Sequence, residues 1–573
     1  MAVGEAKKQA KRGNIISQVS WTDGTTQDVY YWLEHSFQYS RNINADDEMH
    51  GIKLSTKAEH VEYFPHCQLV SCGSNWVMAL DVKTASTPKI FTPTNFSTWW
   101  KPKSDAGKPN SNVNVCPGVV FQDYFWYWAD YQNVASLIRV SNTWAWTAQV
   151  FQPCDHTDYT DEAISTVETK LPMTWSVSAI LNYNNSRLVV AVWWWHNASE
   201  IWVYYPELDQ WIAAWDTYAG RTGWKKVLTY EAWTNIVALT CTFEYLKVRA
   251  VDEWRNTKVY YYQGNNNLRS TFVYNVVDLT GVRVTRVYSI NGIDYYVSSQ
   301  DWTDGFVNLY KMVWTTPVSL FHQRSWLHSL DVNYKAPYFV WPCSIWAGYS
   351  DWTFYIADAY GLFKFTYTPQ GYDKGYMKWG LENNVQPYWV CFNQGYLYVS
   401  YETGCYKMRV FDTWEDGYQE QWVLISREFE WREWGTVTKM LDEIRMNYEL
   451  NPNTEYNWTI DVYVSPNNLR KNTHTFTEAN NWYKVMHIEQ KNWKTRTEKS
   501  NLLNDLWTNS ASSFKFDWQT ITYAIVITRY TKPTSVTSQT DPRSIAEHAT
   551  PIVRQLDIKY HCKDKTNNVY DIN

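Results

Sequence analysis

One pattern recurs through the middle of this chain and limits what it can become: an apolar strand, a polar turn, and a second strand rich in Tyr or Val. It occurs at 76–80 with 89–91, 124–128 with 137–140, 188–192 with 201–205, 236–240 with 258–262, 295–299 with 307–312, 353–357 with 362–367, and 396–400 with 405–410. Short runs of Val, Ile, Tyr, Phe and Thr bounded by Asn, Asp, Gly, Ser and Pro are strand signals. Successive starts lie 43 to 64 residues apart, a loose version of the roughly 40 to 50 residues that one four-stranded propeller blade takes. The expectation is an all-β chain with a β-propeller of about seven blades over residues 61–420, six and eight being the neighbouring counts. Radial repetition also leaves few open strand edges.

After residue 420 the strands become longer and alternate more strictly, at 443–450, 459–464, 482–488, 514–518, 523–528 and 553–560. In Thr459-Ile460-Asp461-Val462-Tyr463-Val464 every second side chain is apolar, as a sheet with one buried face requires. Residues 421–573 are therefore expected to form a β-sandwich, with 551–560 pairing at an edge or closing a sheet. Residues 1–60 offer one strand, 28–32, and a polar stretch through Asn44 and Asp47. That is too little for a core, so an N-terminal arm on the propeller or on a neighbouring subunit is expected.

Composition adds an anomaly. The 573 residues include 36 Trp but only 22 Gly, whereas Gly ordinarily makes up about 7% of a chain and far exceeds Trp. Many Trp stand in polar turn contexts that suit a residue tolerant of positive φ: Asp351-Trp352-Thr353, Asp301-Trp302-Thr303-Asp304-Gly305, Glu253-Trp254-Arg255-Asn256 and Thr143-Trp144-Ala145-Trp146-Thr147. Two readings stand. Either the gene uses UGA for Gly and part of the Trp content comes from reading UGA as Trp, or the chain is a Trp-rich carbohydrate binder with exposed aromatic platforms.

Charge excludes several classes. Charged residues are 19% of the chain and the net charge is −6, without long single-sign runs, so no field that would gather nucleic acid is expected. The basic residues Lys7, Lys8, Lys11 and Arg12 read as a solvated tail. There is no apolar run long enough for a membrane helix and no secretory h-region, so the expectation is a chain made in a reducing cytoplasm. Nine scattered Cys without a CxxC pair argue against a zinc site or a disulfide framework. The four Asn-x-Ser/Thr sequons, at Asn95, Asn184, Asn197 and Asn457, read as chance in that compartment.

Candidate chemistry is sparse. The densest ligand cluster is 154–162, where Asp155, His156, Asp158 and Asp161 could meet a cation, although the central Gly and terminal Glu of an EF-hand loop are missing. A solvated acidic loop is the competing reading, and it also applies to Asp46, Asp47, Glu48 and His50. Ser299-Gln300-Asp301-Trp302-Thr303 and Ser350-Asp351-Trp352-Thr353 approach the Asp boxes of sialidase propellers only loosely. Hydrolase, zinc-protease and nucleotide-binding motifs do not occur. No cofactor, no catalytic residue and no enzymatic activity are expected.

The segment His35-Ser36-Phe37-Gln38-Tyr39-Ser40-Arg41-Asn42-Ile43, the propeller-spaced middle and the closing strand Thr550 to Tyr560 together resemble tail proteins of tailed bacteriophages, in the nozzle, tail-tip and fibre-adaptor class. That resemblance implies a virion protein with a structural role in tail assembly or host contact. Its partners would be other tail proteins, copies of itself in a cyclic oligomer, and a host surface glycan.

Overall fold

The computed structural model describes strands and connecting turns between Asn14 and Cys562; the longest segments outside the description are 26–35, 92–117, 157–166, 320–342, 411–420, 490–505 and 532–551, with both termini. Regular structure among the described residues is almost entirely β. Two single 3-10 turns, Pro206–Leu208 and Glu478–Asn480, are the exceptions. No helix among these residues is long and apolar enough to cross a membrane.

Seven small antiparallel sheets follow one another along the chain. The first consists of Cys67–Cys72, Trp76–Asp81 and Lys89–Phe91. The second is Gly118–Phe121, Tyr124–Tyr131, Val134–Ser141 and Ala148–Phe151. The third is Ser176–Tyr183, Arg187–Trp193, Ala198–Tyr204 and Trp224–Ala232. The fourth is Asn235–Cys241, Tyr245–Val251, Thr257–Asn265 and Ser270–Asp278. The fifth is Val284–Ile290, Ile293–Gln300, Phe306–Val313 and Thr316–Ser319, and the sixth is Cys343–Trp346, Trp352–Asp358, Gly361–Tyr367 and Asp373–Gly380.

The seventh holds Pro387–Asn393, Tyr396–Tyr401 and Gly404–Arg409, and its outermost strand comes from far upstream: Glu59–Glu62 pairs antiparallel with Gly404–Arg409. This sheet packs on the first one, where Cys391 and Cys405 share a buried cluster with Leu69 and Val77. Sheets in series whose last member borrows a strand from before the first and meets that first member form a β-propeller.

The third sheet shows why its sequence reads as a continuous apolar run rather than an alternating one. Leu188, Val190 and Val192 bury against Trp126, Trp128 and Leu137 of the second sheet. The intervening Val189 and Ala191 bury against Leu246 and Val248 of the fourth. A strand covered on both faces needs apolar side chains at odd and even positions alike.

The expected hairpins pair as read, with one exception. Strand 236–240 does not pair with 258–262; Tyr245–Val251 lies between and pairs with both. Lys247 and Arg249 gave that strand a polar look, yet both are buried.

Apart from three two-stranded pairs, Cys154–His156 with Val167–Lys170, Trp211–Ile212 with Gly220–Arg221 and Ile43–Asn44 with Lys53–Leu54, the other described strands form a two-sheet unit built from both ends of the chain. One sheet runs Asn14–Gln18, Ile552–Cys562, Lys439–Glu449, Leu506–Ala511, with Asp517–Trp518 also on Lys439–Glu449. The other runs Gly24–Thr25, Ser36–Arg41, Gln421–Ser426, Thr520–Thr531, Tyr456–Pro466, Tyr483–Glu489, with Phe429–Glu430 at its side. Ile444, Met446 and Ile558 of the first sheet and Ile460, Val462, Ile525 and Ile527 of the second share one buried core.

Two expectations are corrected here. The N-terminal region does not stand apart as an arm: Asn14–Gln18 and Ser36–Arg41 are paired members of these sheets, and Ile16, Trp21, Phe37 and Ile43 lie in the shared core. The closing strand Ile552–Cys562 is interior, with Asn14–Gln18 on one side and Lys439–Glu449 on the other. The expected strand at 28–32 lies outside the described residues.

Candidate functional site: polar groups at the sheet junctions

Asp155 and His156 lie in Cys154–His156, which pairs with Val167–Lys170 and carries a register shift between those two residues. Asp158 and Asp161, like Asp46, Asp47, Glu48 and His50, lie outside the described residues. Among the described residues no three His, Cys, Asp or Glu come together in a way that could hold a metal ion. Of the four turn contexts chosen for their Trp, Trp352 opens a strand and pairs with Trp346 and Tyr367, whereas Trp144, Trp254 and Trp302 lie outside the description.

The polar chemistry the structure does bring together sits where one sheet meets the next. The turn after Ser176–Tyr183 is left-handed at two successive residues, Asn184 (φ 48°) and Asn185 (φ 54°), a conformation in which Asn is among the best tolerated side chains. That turn reaches the second sheet. Asn182 Nδ2 donates to Val120 O at 3.0 Å, the Gln122 amide donates to Asn185 Oδ1 at 3.2 Å, and the Asn185 amide donates to Asn182 Oδ1 at 2.8 Å. On the other side Cys241 of the fourth sheet directs its thiol at Asn182 O, 3.7 Å away. Burial pushes the Cys241 thiol up from its ordinary value, with Asp294 adding to the effect and Lys247 opposing it.

Between the fourth and fifth sheets, Lys247 Nζ lies 2.9 Å from Asp294 Oδ2, with side chains only 8% and 2% exposed. Two charges so deeply withdrawn from water are tolerated only as partners. Between the second and third sheets Arg139 lies over the Tyr124 ring at 4.2 Å and the Trp126 ring at 5.3 Å, with its guanidinium 3.6 Å from Asp209. Within the third sheet's own region Arg187 makes the same kind of contact, with Tyr205 at 4.8 Å and Glu207 at 2.7 Å. Arg suits such places because its flat, weakly hydrated cation stacks on rings while keeping its donors.

At the outer rim of the third and fourth sheets the hydroxyls of Tyr230 and Tyr262 are 2.8 Å apart. Burial is the main cause that raises both phenols, Tyr262 to about 12, with Tyr230 displaced further in the same direction.

The propeller is fastened to the two-sheet unit by side chains at alternate positions of one segment. Ser40 Oγ accepts from the Met377 amide at 2.9 Å, Asn42 Oδ1 accepts from the Gly380 amide at 2.7 Å, and Asn44 Oδ1 accepts from the Tyr376 hydroxyl at 3.4 Å. Asn42 also donates through Nδ2 to Gln421 O at 2.8 Å. Asp373–Gly380 is the last strand of the sixth sheet, so Ser40 and Asn42 occupy backbone donors of an edge strand, while Asn44 takes a side-chain hydroxyl of the same strand. Gly380 is needed for the approach, because a Cβ there would stand 2.4 Å from Arg41 Cγ. Sequence reading placed Ser40 and Asn42 inside its resemblance segment but gave them no role. The signal was present as the period-two polar series Ser40, Asn42, Asn44.

No family profile and no curated protein matches the chain. Solved structures similar to parts of it include the β-propeller domain of Vanderwaltozyma polyspora Nup133, at 9% identity and TM-score 0.36 over 64% of this chain and 99% of that one. A Mycobacterium tuberculosis puromycin-hydrolyzing peptidase is similar at 8% identity and TM-score 0.38, over 65% of this chain and 58% of that one. An exo-β-1,3-galactanase from Phanerochaete chrysosporium gives 9% and 0.26, over 80% and 98%. Likeness at this level transfers no activity, so the fold rests on the pairings above.

Proposed function

We propose that this chain is a non-catalytic structural component of a bacteriophage tail. In this reading the seven sheets are seven blades of one closed ring, the two-sheet unit is a β-sandwich that clamps it, and several copies assemble as a cyclic oligomer on the tail axis.

The observation that carries the reading is the use to which polar groups are put. Arg139, Lys247, Asp294, Asn42 and Asn182 each join one sheet to another or one unit to the next. Such fastening suits a part that holds position under load and presents outer surface to neighbours. It fits the resemblance carried by residues 35–43, since that segment is the one that docks the propeller.

Light scattering and negative-stain imaging of the purified chain test the proposal, together with peptide mapping of intact particles. Ring-shaped oligomers and peptides recovered from virion tails are the expected result. A stable monomer absent from particles, or a gene remote from portal, tail-tube and capsid genes, would count against it.

A further inference from the structure

The strand Trp224–Ala232 of the third sheet passes to Asn235–Cys241 of the fourth through a tight turn in which the Thr234 amide donates to Glu231 O at 3.2 Å. Trp233 occupies the third place of that turn with φ 69°, and Ala232 before it is not left-handed. A positive φ at the third place alone is the pattern of a type II turn, which calls for Gly or Asn there. A bulky side chain in that region is an outlier.

The other left-handed residues of the described chain show how such positions are ordinarily filled. Apart from Gly, they are the amides Asn42, Gln122, Asn184, Asn185, Gln394, Asn467 and Asn481, and the fully buried Leu268. Asn42, Asn185 and Asn481 turn their side chains to neighbouring backbone, at Gly380, Gln122 and Pro466. Trp233 is neither an amide nor buried; its side chain is half exposed, at 50%. Unlike Leu268, it leaves half of its surface in water while holding that backbone conformation. Between Pro387–Asn393 and Tyr396–Tyr401, where two successive residues are left-handed, the chain uses Gln394-Gly395, with φ 48° and 79° and Gly at the third place of the turn.

We propose that residue 233 is glycine in the protein as its host makes it, and that its codon is UGA, read there by a glycine tRNA. The shortage of Gly against Trp over the whole chain, 22 against 36, is the second and independent observation. The partner this implies is a translation apparatus that inserts Gly at UGA, so the full chain with its intended turn is made only in a cytoplasm of that kind. The inference does not depend on the role proposed above.

The codon at position 233 and the native peptide Val227 to Lys247 test it directly. A UGA codon is expected, together with a peptide lighter by the difference between a Trp and a Gly residue. A UGG codon, or Trp confirmed at 233 in protein from its own source, would overturn the proposal. A recombinant pair supplies a physical readout: Trp233→Gly is expected to slow amide exchange at Thr234 and raise the melting midpoint, and faster exchange with a lower midpoint would contradict the turn argument.

Discussion

Asn42 illustrates how much a single amide can hold. It sits at φ 60°, accepts from Gly380 and donates to Gln421 O. Removing its side chain leaves the buried Gly380 amide without its acceptor, which costs about 1–3 kcal/mol. Asn42→Ala should lower the melting midpoint and speed exchange at the Gly380 amide specifically; unchanged protection there would show that another group takes over.

The Lys247–Asp294 pair calls for a different comparison, because desolvation and attraction nearly cancel in such pairs. Lys247→Met alone strands a buried carboxylate and should cost about 3–5 kcal/mol, whereas Lys247→Met with Asp294→Leu should recover most of that loss. Chemical denaturation of the three proteins decides, and equal losses for single and double variants would refute the pairing argument.

At the scale of elements, sequence legibility followed burial geometry. Strands covered on both faces, such as Arg187–Trp193, announce themselves as apolar runs, and Tyr456–Pro466 announces itself by alternation. Tyr245–Val251 escaped because its Lys247 is matched by Asp294 from another sheet, a partner that local sequence cannot show. Asn14–Gln18 escaped for the same kind of reason. Its inward Ile16 joins a core in which Leu441 and Ile558, of the same sheet, lie more than four hundred residues away. Asp155 and His156 fall on adjacent positions of the extended strand Cys154–His156, and their candidate companions Asp158 and Asp161 lie outside the described residues.

The closing strand Glu59–Glu62 is the element whose loss should be felt furthest. His60 stacks edge-on to Tyr406 at 5.2 Å, and Glu59 lies 3.1 Å from Lys407. Proline at position 60 removes a ladder donor and fixes φ. His60→Pro should therefore expose Gly404–Arg409 to proteolysis and hydrogen exchange while the third sheet keeps its protection. Uniform protection would mean that the ring does not depend on this strand.

Burial of the Tyr262 phenol gives an element-scale pH dependence. Burial raises the folded phenol of Tyr262 to about 12 from its ordinary value near 10, so the folded state holds its proton more tightly than the unfolded chain. The associated stability is complete below pH 10 and is lost as pH rises towards 12. Tyr262→Phe should weaken that alkaline loss in thermal melts taken across the interval, and an identical profile would reject the assignment.

At the scale of the molecule, the propeller is inserted between the two halves of the unit that clamps it. Chain ends that read as a packing arm and a terminal domain share two sheets and one core. Within it Trp21 Nε1 donates to the Tyr523 hydroxyl at 3.2 Å, and that hydroxyl donates to Gln18 Oε1 at 2.5 Å, across some five hundred residues of intervening chain. Deleting residues 1–13 removes no strand described here and should leave the midpoint unchanged. Deleting residues 1–45 removes Asn14–Gln18, Ser36–Arg41 and the docking amides together, exposing Ile558 and Leu424 in the shared core and freeing the backbone donors of Asp373–Gly380. That truncation should aggregate or melt well below the intact chain, because apolar strand faces and an open edge become available at once. If the shorter chain instead stays soluble with an unaltered melt, residues 14–45 are an appendage, and the clamp must be built from residues 421–562 alone.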